Sequence, residues 1–140
     1  MKGKGSKIMV MTNWSSRPFS LLVDSATPHE CRLAEQTVAN RFAHKQPLKL
    51  VADRAYDNDP LDRRLKRKNI ELIAPHRVNR LIPKTQDGRK LRLYKQRWRI
   101  ERFFSWLFNF RRCAVRYERK AENFLGFIQL ASIIMLLRYF

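Results

Sequence analysis

The sequence predicts an α/β fold, a mixed sheet flanked by helices, and three observations carry that expectation. Leu48 to Ala52 (LKLVA) and Ile70 to Ala74 (IELIA) are β-prone runs separated by a helical stretch through Leu61 and Leu65, a strand–helix–strand alternation. A 44% hydrophobic content with nine Phe excludes a disordered chain. The length of 140 residues allows one domain with a core of its own.

Each element follows from its local pattern. Lys7 to Thr12 and Phe19 to Val23 are β-prone and flank the turn residues Asn13 to Pro18, which reads as an antiparallel hairpin. Thr27-Pro28-His29-Glu30 fits a capping box with proline at the first helical position. Cys31, Ala34, Val38 and Phe42 then form an apolar stripe on a helix expected to end near His44, before Pro47. After the strand Leu48 to Ala52, Asp59-Pro60 marks the start of the next helix, whose cations gather toward its end and complement the helix dipole.

Residues His76 to Arg92 contain two Pro-flanked turns, one Gly and many cations, which reads as a long, mobile basic loop. From Tyr94 a helix is expected to run to about Arg112, with Ile100, Phe103, Phe104, Leu107 and Phe108 as its core stripe and Trp98 and Trp106 as core residues. A last helix, about Ala121 to Tyr139, is apolar nearly all round and should be buried or pack against a partner.

Charge is the strongest functional signal. The net charge of +18 is concentrated in residues 61 to 120, which carry 20 basic and 5 acidic side chains. Such a block self-repels and calls for a polyanionic partner, nucleic acid before an anionic membrane. The apolar run from Phe124 to Leu137 has 14 residues, whereas a membrane span needs roughly 20, so no membrane anchor is expected. The beginning, MKGKGSKIMVMTN, has neither an apolar core nor a small-residue cleavage site. Cys31 and Cys113 stand alone, with no CxxC or Cys/His cluster, which argues against structural zinc. These features together read as a cytoplasmic chain. His29, His44 and His76 are scattered and read as surface or capping residues.

Two sets of residues could carry chemistry. Tyr94, Arg97 and Glu101 are spaced +3 and +4, which puts them on one helical face; the plain alternative is an Arg97–Glu101 helix pair contributing about 0.2–0.5 kcal/mol. Asp53 lies at the C-terminal end of a strand, where open α/β sheets place their sites; its plain alternative is a capping role in the following loop. The basic loop, with Arg89 and Lys90 in it, is a candidate for phosphate contact.

Ala52-Asp53-Arg54-Ala55-Tyr56-Asp57 resembles the second-aspartate motif of bacterial insertion-sequence DDE transposases, and Tyr94-x2-Arg97-x3-Glu101 resembles that family's C-terminal signature. Phe104-Ser105-Trp106-Leu107, Phe110-Arg111-Arg112 and Ala114 through Arg119 resemble the surroundings of its catalytic Glu, and Ser25 through Glu30 is similar as well. The resemblance implies an RNase-H-like fold in which three carboxylates hold two divalent ions, Mg²⁺ or Mn²⁺, for in-line attack on a phosphodiester. It implies Asp53 and Glu101 as catalytic metal ligands, with Tyr94 and Arg97 orienting Glu101 or contacting DNA phosphate.

The family places its first Asp on a strand before Gly5-Ser6-Lys7, so the resemblance implies an incomplete domain without its first strand. That would be the second reading frame of a split element, or a remnant, inactive on its own. Where the family has Lys or Arg seven positions after the Glu, this chain has Phe108, and Arg111 or Arg112 is expected to compensate. Expected partners are DNA, at element ends and target, the upstream reading-frame product or a fusion with it, and a second copy of the chain. A non-catalytic basic nucleic-acid-binding protein explains the charge equally well, but gives no reason for Asp53 and the Tyr94–Arg97–Glu101 spacing.

Overall fold

The two β-prone runs near the start form a hairpin: β1 (Ser6–Thr12) pairs antiparallel with β2 (Pro18–Ser25), Val10 opposite Leu21 and Ile8 opposite Val23. Because side chains alternate along a strand, one face collects Ile8, Val10, Leu21 and Val23, and the other Met9, Met11, Ser20 and Leu22. The computed structural model in which this is seen describes residues 5–42 and 44–138. It divides into two compact units, Met1–Ala43 with Arg99–Phe140, and His44–Trp98.

In the first unit, the helix α1 (Glu30–Ala39) packs on the hairpin, burying Cys31, Leu33, Ala34, Thr37 and Val38, and the Ser20 hydroxyl donates to the Thr37 carbonyl. The capping box expected at Thr27 is displaced by two residues. His29 is the N-cap, its Nδ1 accepting from the Cys31 N–H at 3.4 Å, and Glu30 opens the helix. Glu30 is held there by Lys7 at 2.8 Å, whose hydrogen bond lowers the Glu30 pKa. The helix ends at Ala39, short of His44. Arg41 instead bridges to Ser20, and the Phe42 N–H donates to the Phe19 carbonyl at 3.0 Å. This short extension covers part of the β2 edge, which would otherwise be open to pairing with another chain. It also leaves Phe42 exposed and off the stripe on which the periodicity places it.

The opposite hairpin face meets the rest of the unit. The core joins Leu21 to Phe103 and Leu107 of α3 (Trp98–Leu107), Cys113 of α4 (Arg111–Ala114), and Phe124, Ile128, Ala131 and Met135 of α5 (Ala121–Leu137). The single helix expected from Tyr94 to Arg112 is broken in two ways. Residues Lys90–Arg97 form a 3₁₀ helix without a side-chain cap, and four cations in that stretch oppose the positive end of a helix dipole. The α-helix starts only at Trp98, with Glu101 as the acidic residue of its first turn.

At the other end, the Asn109 and Phe110 amides bond three residues back, and Phe110 is extended. The chain turns there, which delivers Cys113 to the core and leaves Phe108 exposed; Trp98 is exposed as well, although Trp106 packs against the core. One stripe of α5 is buried, but Leu130, Ile133, Ile134 and Leu137 face outward, so this helix is not enclosed all round. Tyr139 lies outside the described residues. No helix among the described residues is long and apolar enough to cross a membrane.

The second unit is a β–α–β element. Strands β3 (Lys49–Val51) and β4 (Glu71–Ile73) pair in parallel, with α2 (Asp59–Arg67) between them in sequence. Leu61 and Leu65 of α2 and Ile70, Leu72, Ile73 and Ala74 around β4 are buried. Asn58, not Asp59, caps α2, its Oδ1 accepting from the Leu61 N–H at 2.9 Å. Asn69 ends the turn after α2 at φ 56°, a left-handed conformation that asparagine tolerates better than most residues. The strands thus form two separate two-stranded sheets instead of one mixed sheet. No further strand among the described residues extends either ladder.

Candidate nucleic-acid and carboxylate site

Asp53 lies two residues past the last residue of β3 and sits exposed at its carboxyl end. Its Oδ1 accepts from the Ala55 N–H at 2.8 Å, which caps the 3₁₀ turn Arg54–Tyr56. The capping role weighed against a chemical one is therefore real. One accepted bond still leaves most of a carboxylate's roughly four lone-pair sites for other donors or ions.

Asp57, four residues on, is differently placed. Its side chain is 6% exposed, with Oδ1 on His76 Nδ1 at 2.9 Å and on Arg80 Nη1 at 2.8 Å, and Oδ2 on the Arg77 N–H at 2.7 Å. Burial opposes the charged form, but the Arg77 amide, His76 and Arg80 overcome it and hold the Asp57 pKa below its ordinary value of 3.8. A depressed carboxylate pKa contributes stability that is present above the unfolded-state value and lost as pH falls through the folded one. Protection of the Arg77 amide, its exchange rate relative to an unstructured amide at the same pH, is therefore expected to hold down to about pH 4 and to be lost below it. Loss of protection that begins well above this range would contradict the assignment.

These contacts change the reading of the basic loop. Arg80 also pairs with Asp59 at 2.8 Å and donates to the Ile82 and Pro83 carbonyls, and Arg77 Nη2 donates to the Ala55 carbonyl at 3.1 Å. His76 is a hub and not a surface residue: its Nε2 accepts from the Thr85 and Gln86 N–H groups at 3.0 and 3.2 Å. The loop after β4 is therefore tied down along 76–86, where composition suggests mobility. Lys90 is paired with Glu71, which raises its pKa, while Lys84, Arg89 and Arg92 are exposed.

Tyr94 and Arg97 lie on the 3₁₀ helix Lys90–Arg97, which packs on β3 and β4. The Arg97 guanidinium sits 5.6 Å from the Tyr94 ring centroid, and its Nη1 is 3.5 Å from the Tyr94 hydroxyl. Glu101 is exposed in the first turn of α3, where a carboxylate is favoured by the helix dipole. Asp53, Tyr94 and Arg97 belong to the unit His44–Trp98, and Glu101 to the other. Of the two arginines expected to compensate for Phe108, Arg112 is committed to Glu118 at 2.8 Å and to the Phe127 ring, while Arg111 is exposed on α4.

Asp53 and Glu101 are hard oxygen donors of the kind that hold Mg²⁺ or Mn²⁺. Among the described residues, however, no three His, Cys, Asp or Glu side chains gather around a common point. With Asp57 engaged by its own partners, no set of the described side chains fits a two-ion centre.

Comparison with known proteins adds a family. Residues 2–136 match the transposase DDE domain. The chain is 28% identical over 139 residues to a Burkholderia cepacia protein named "Putative transposase for insertion sequence element IS402", covering 94% of this chain and 62% of that protein. It is 41% identical over 91 residues to a Brucella ovis protein named "Putative transposase for insertion sequence element IS6501", covering 64% of this chain and 67% of that protein. The chain thus spans about two thirds or less of the length of these curated relatives. No solved structure matches.

Proposed function

Because the chain belongs to the transposase DDE domain family, we propose that it takes part in DNA transposition by binding DNA phosphates, with Asp53 and Glu101 as two of the carboxylates that would hold divalent ions for attack on the phosphodiester. The carrying observation is Asp53, exposed at the carboxyl end of β3 in a parallel β–α–β unit, with a cation-bearing loop fastened to the turn that follows it. On this reading the fold is RNase-H-like. The reaction forms a bond from a water or 3′-hydroxyl oxygen to phosphorus as the bridging bond to the leaving oxygen breaks.

The chain's own residues bind and orient. Arg97, beside the Tyr94 ring, carries a planar guanidinium of the kind that suits a phosphate, Lys84, Arg89 and Arg92 add exposed cations in the same unit, and Arg111 is exposed in the other. A complete two-ion centre needs at least one more oxygen ligand than Asp53 and Glu101 supply. The chain is therefore expected to bind DNA, and to cut it only where a further oxygen ligand completes the centre.

DNA binding is the direct test. If about six phosphates are contacted, log affinity should fall against log salt with a slope near −5, with little sequence preference. A flat salt dependence would remove the nucleic-acid reading altogether.

A further inference from the structure

We infer that Asp57 is a positioning residue for DNA binding: through His76, Arg77 and Arg80 it fastens the loop after β4 to the Asp53 turn, so that Lys84, Arg89 and Arg92 are presented from a fixed base. The inference rests on the DNA-binding reading above, but its central piece is local chemistry. His76 Nε2 lies against two backbone N–H donors, those of Thr85 and Gln86. It must therefore accept, which leaves the ring proton on Nδ1, and Nδ1 points at Asp57 Oδ1 at 2.9 Å. Asp57 thus selects the tautomer, and the tautomer holds a stretch of loop nine to ten residues further along the chain.

Arg80 works in parallel. Its guanidinium bridges Asp57 and Asp59 and also donates to the carbonyls of residues 82 and 83. The loop's cations therefore fall into two sets. Arg77, Arg80 and Lys90 are turned onto protein acceptors, and Lys84, Arg89 and Arg92 are exposed. A loop ordered before binding loses less conformational freedom on meeting DNA than one that must be ordered by it.

The sign of one substitution separates positioning from simple electrostatics. Asp57→Asn removes a negative charge, so charge alone makes DNA binding tighter. Loss of positioning makes it weaker. Three measurements on the full chain decide between them: ring ¹⁵N shifts of His76, amide exchange at Thr85 and Gln86, and affinity for a random-sequence DNA duplex at fixed salt. The wild-type chain should show the proton on Nδ1. In D57N the proton should shift toward Nε2, exchange at Thr85 and Gln86 should quicken at least tenfold, and DNA affinity should drop about tenfold. The Ala52 amide, bonded to the Ile73 carbonyl, should exchange as in wild type, which sets local release apart from general unfolding.

Should D57N not fold, Arg80→Lys serves instead, because an ammonium cannot bridge both aspartates and both carbonyls; loop exchange and DNA affinity should move in the same directions. An Nε2-protonated ring in the wild-type chain, or a variant that binds DNA as well as or better than wild type, overturns the inference. Failure of the wild-type chain to bind DNA overturns the functional reading, while the ring shifts still decide whether the anchor exists.

Discussion

Replacing Asp53 by Asn or Glu101 by Gln, in a preparation of the protein that cleaves transposon-end DNA, is expected to abolish that cleavage while leaving DNA affinity within about twofold. Each exchange is nearly isosteric and removes one anionic oxygen donor. Each carboxylate would help hold a divalent ion, and the ion would supply the positive charge that stabilises the phosphoryl oxygens; if losing one ligand forfeits several kcal/mol of that, and each 1.36 kcal/mol is tenfold in rate, the loss is on the order of a thousandfold. Binding depends on the cationic surface and should be spared, with D53N and E101Q giving a salt slope equal to that of the unsubstituted protein. A D53N or E101Q protein that cuts at the original rate would return Asp53 to its capping role and Glu101 to its place in the helix dipole. It would then favour the non-catalytic nucleic-acid-binding alternative.

The second large effect is on stability. Phe103 is fully buried and meets Phe104 edge-to-face at 5.6 Å, in the core that joins Leu21 of the hairpin to α3, α4 and α5. Phe103→Ala should destabilise the chain by about 3–5 kcal/mol, through lost transfer energy and a cavity that close-packed neighbours fill only in part. Against a typical stability of about 5–15 kcal/mol this is a large share. Phe108→Ala, on the same predicted stripe but half exposed and stacked on Phe104, should cost about 1 kcal/mol or less. Urea unfolding of both variants measures the contrast. Equal losses would mean that the helix continues through residue 108 after all.

The sequence revealed what depends on neighbours along the chain. The hairpin, the strand–helix–strand alternation and the buried faces of α1 and α3 follow from periodicities of two and 3.6, which need no knowledge of the third dimension. Placing Asp53 at a strand end needed only the length of LKLVA. What failed was decided by competition between distant groups. Thr27 has the right chemistry for a cap, but Lys7 holds Glu30 where His29 becomes the cap. Phe42 keeps the helical spacing, but its amide is drawn to the Phe19 carbonyl.

The same limit governed the site. Tyr94, Arg97 and Glu101 keep their spacing, but a run of cations at its start delays the α-helix until Trp98. Asp57 was visible as the last residue of an aspartate motif. Nothing in its neighbours along the chain announces that His76, Arg77 and Arg80, 19 to 23 positions away, would close around it. Nor does local composition distinguish an arginine turned inward from one left for DNA.

The unit made of Met1–Ala43 and Arg99–Phe140 is discontinuous, with His44–Trp98 inserted in its middle, and this has a consequence during synthesis. The hairpin leaves the ribosome early, but Phe103, Phe124 and Ile128, which cover one of its faces, are made only after the inserted unit. At about 5–20 residues per second, α5 follows the hairpin by roughly 5–20 s. Through that interval the hairpin face of Ile8, Val10, Leu21 and Val23 lacks its cover from α5, while the His44–Trp98 segment, contiguous in sequence, can already collapse on itself. Nascent chains stalled at successive lengths should therefore acquire protease resistance in the middle segment first. The beginning of the chain should become resistant only when the end has emerged.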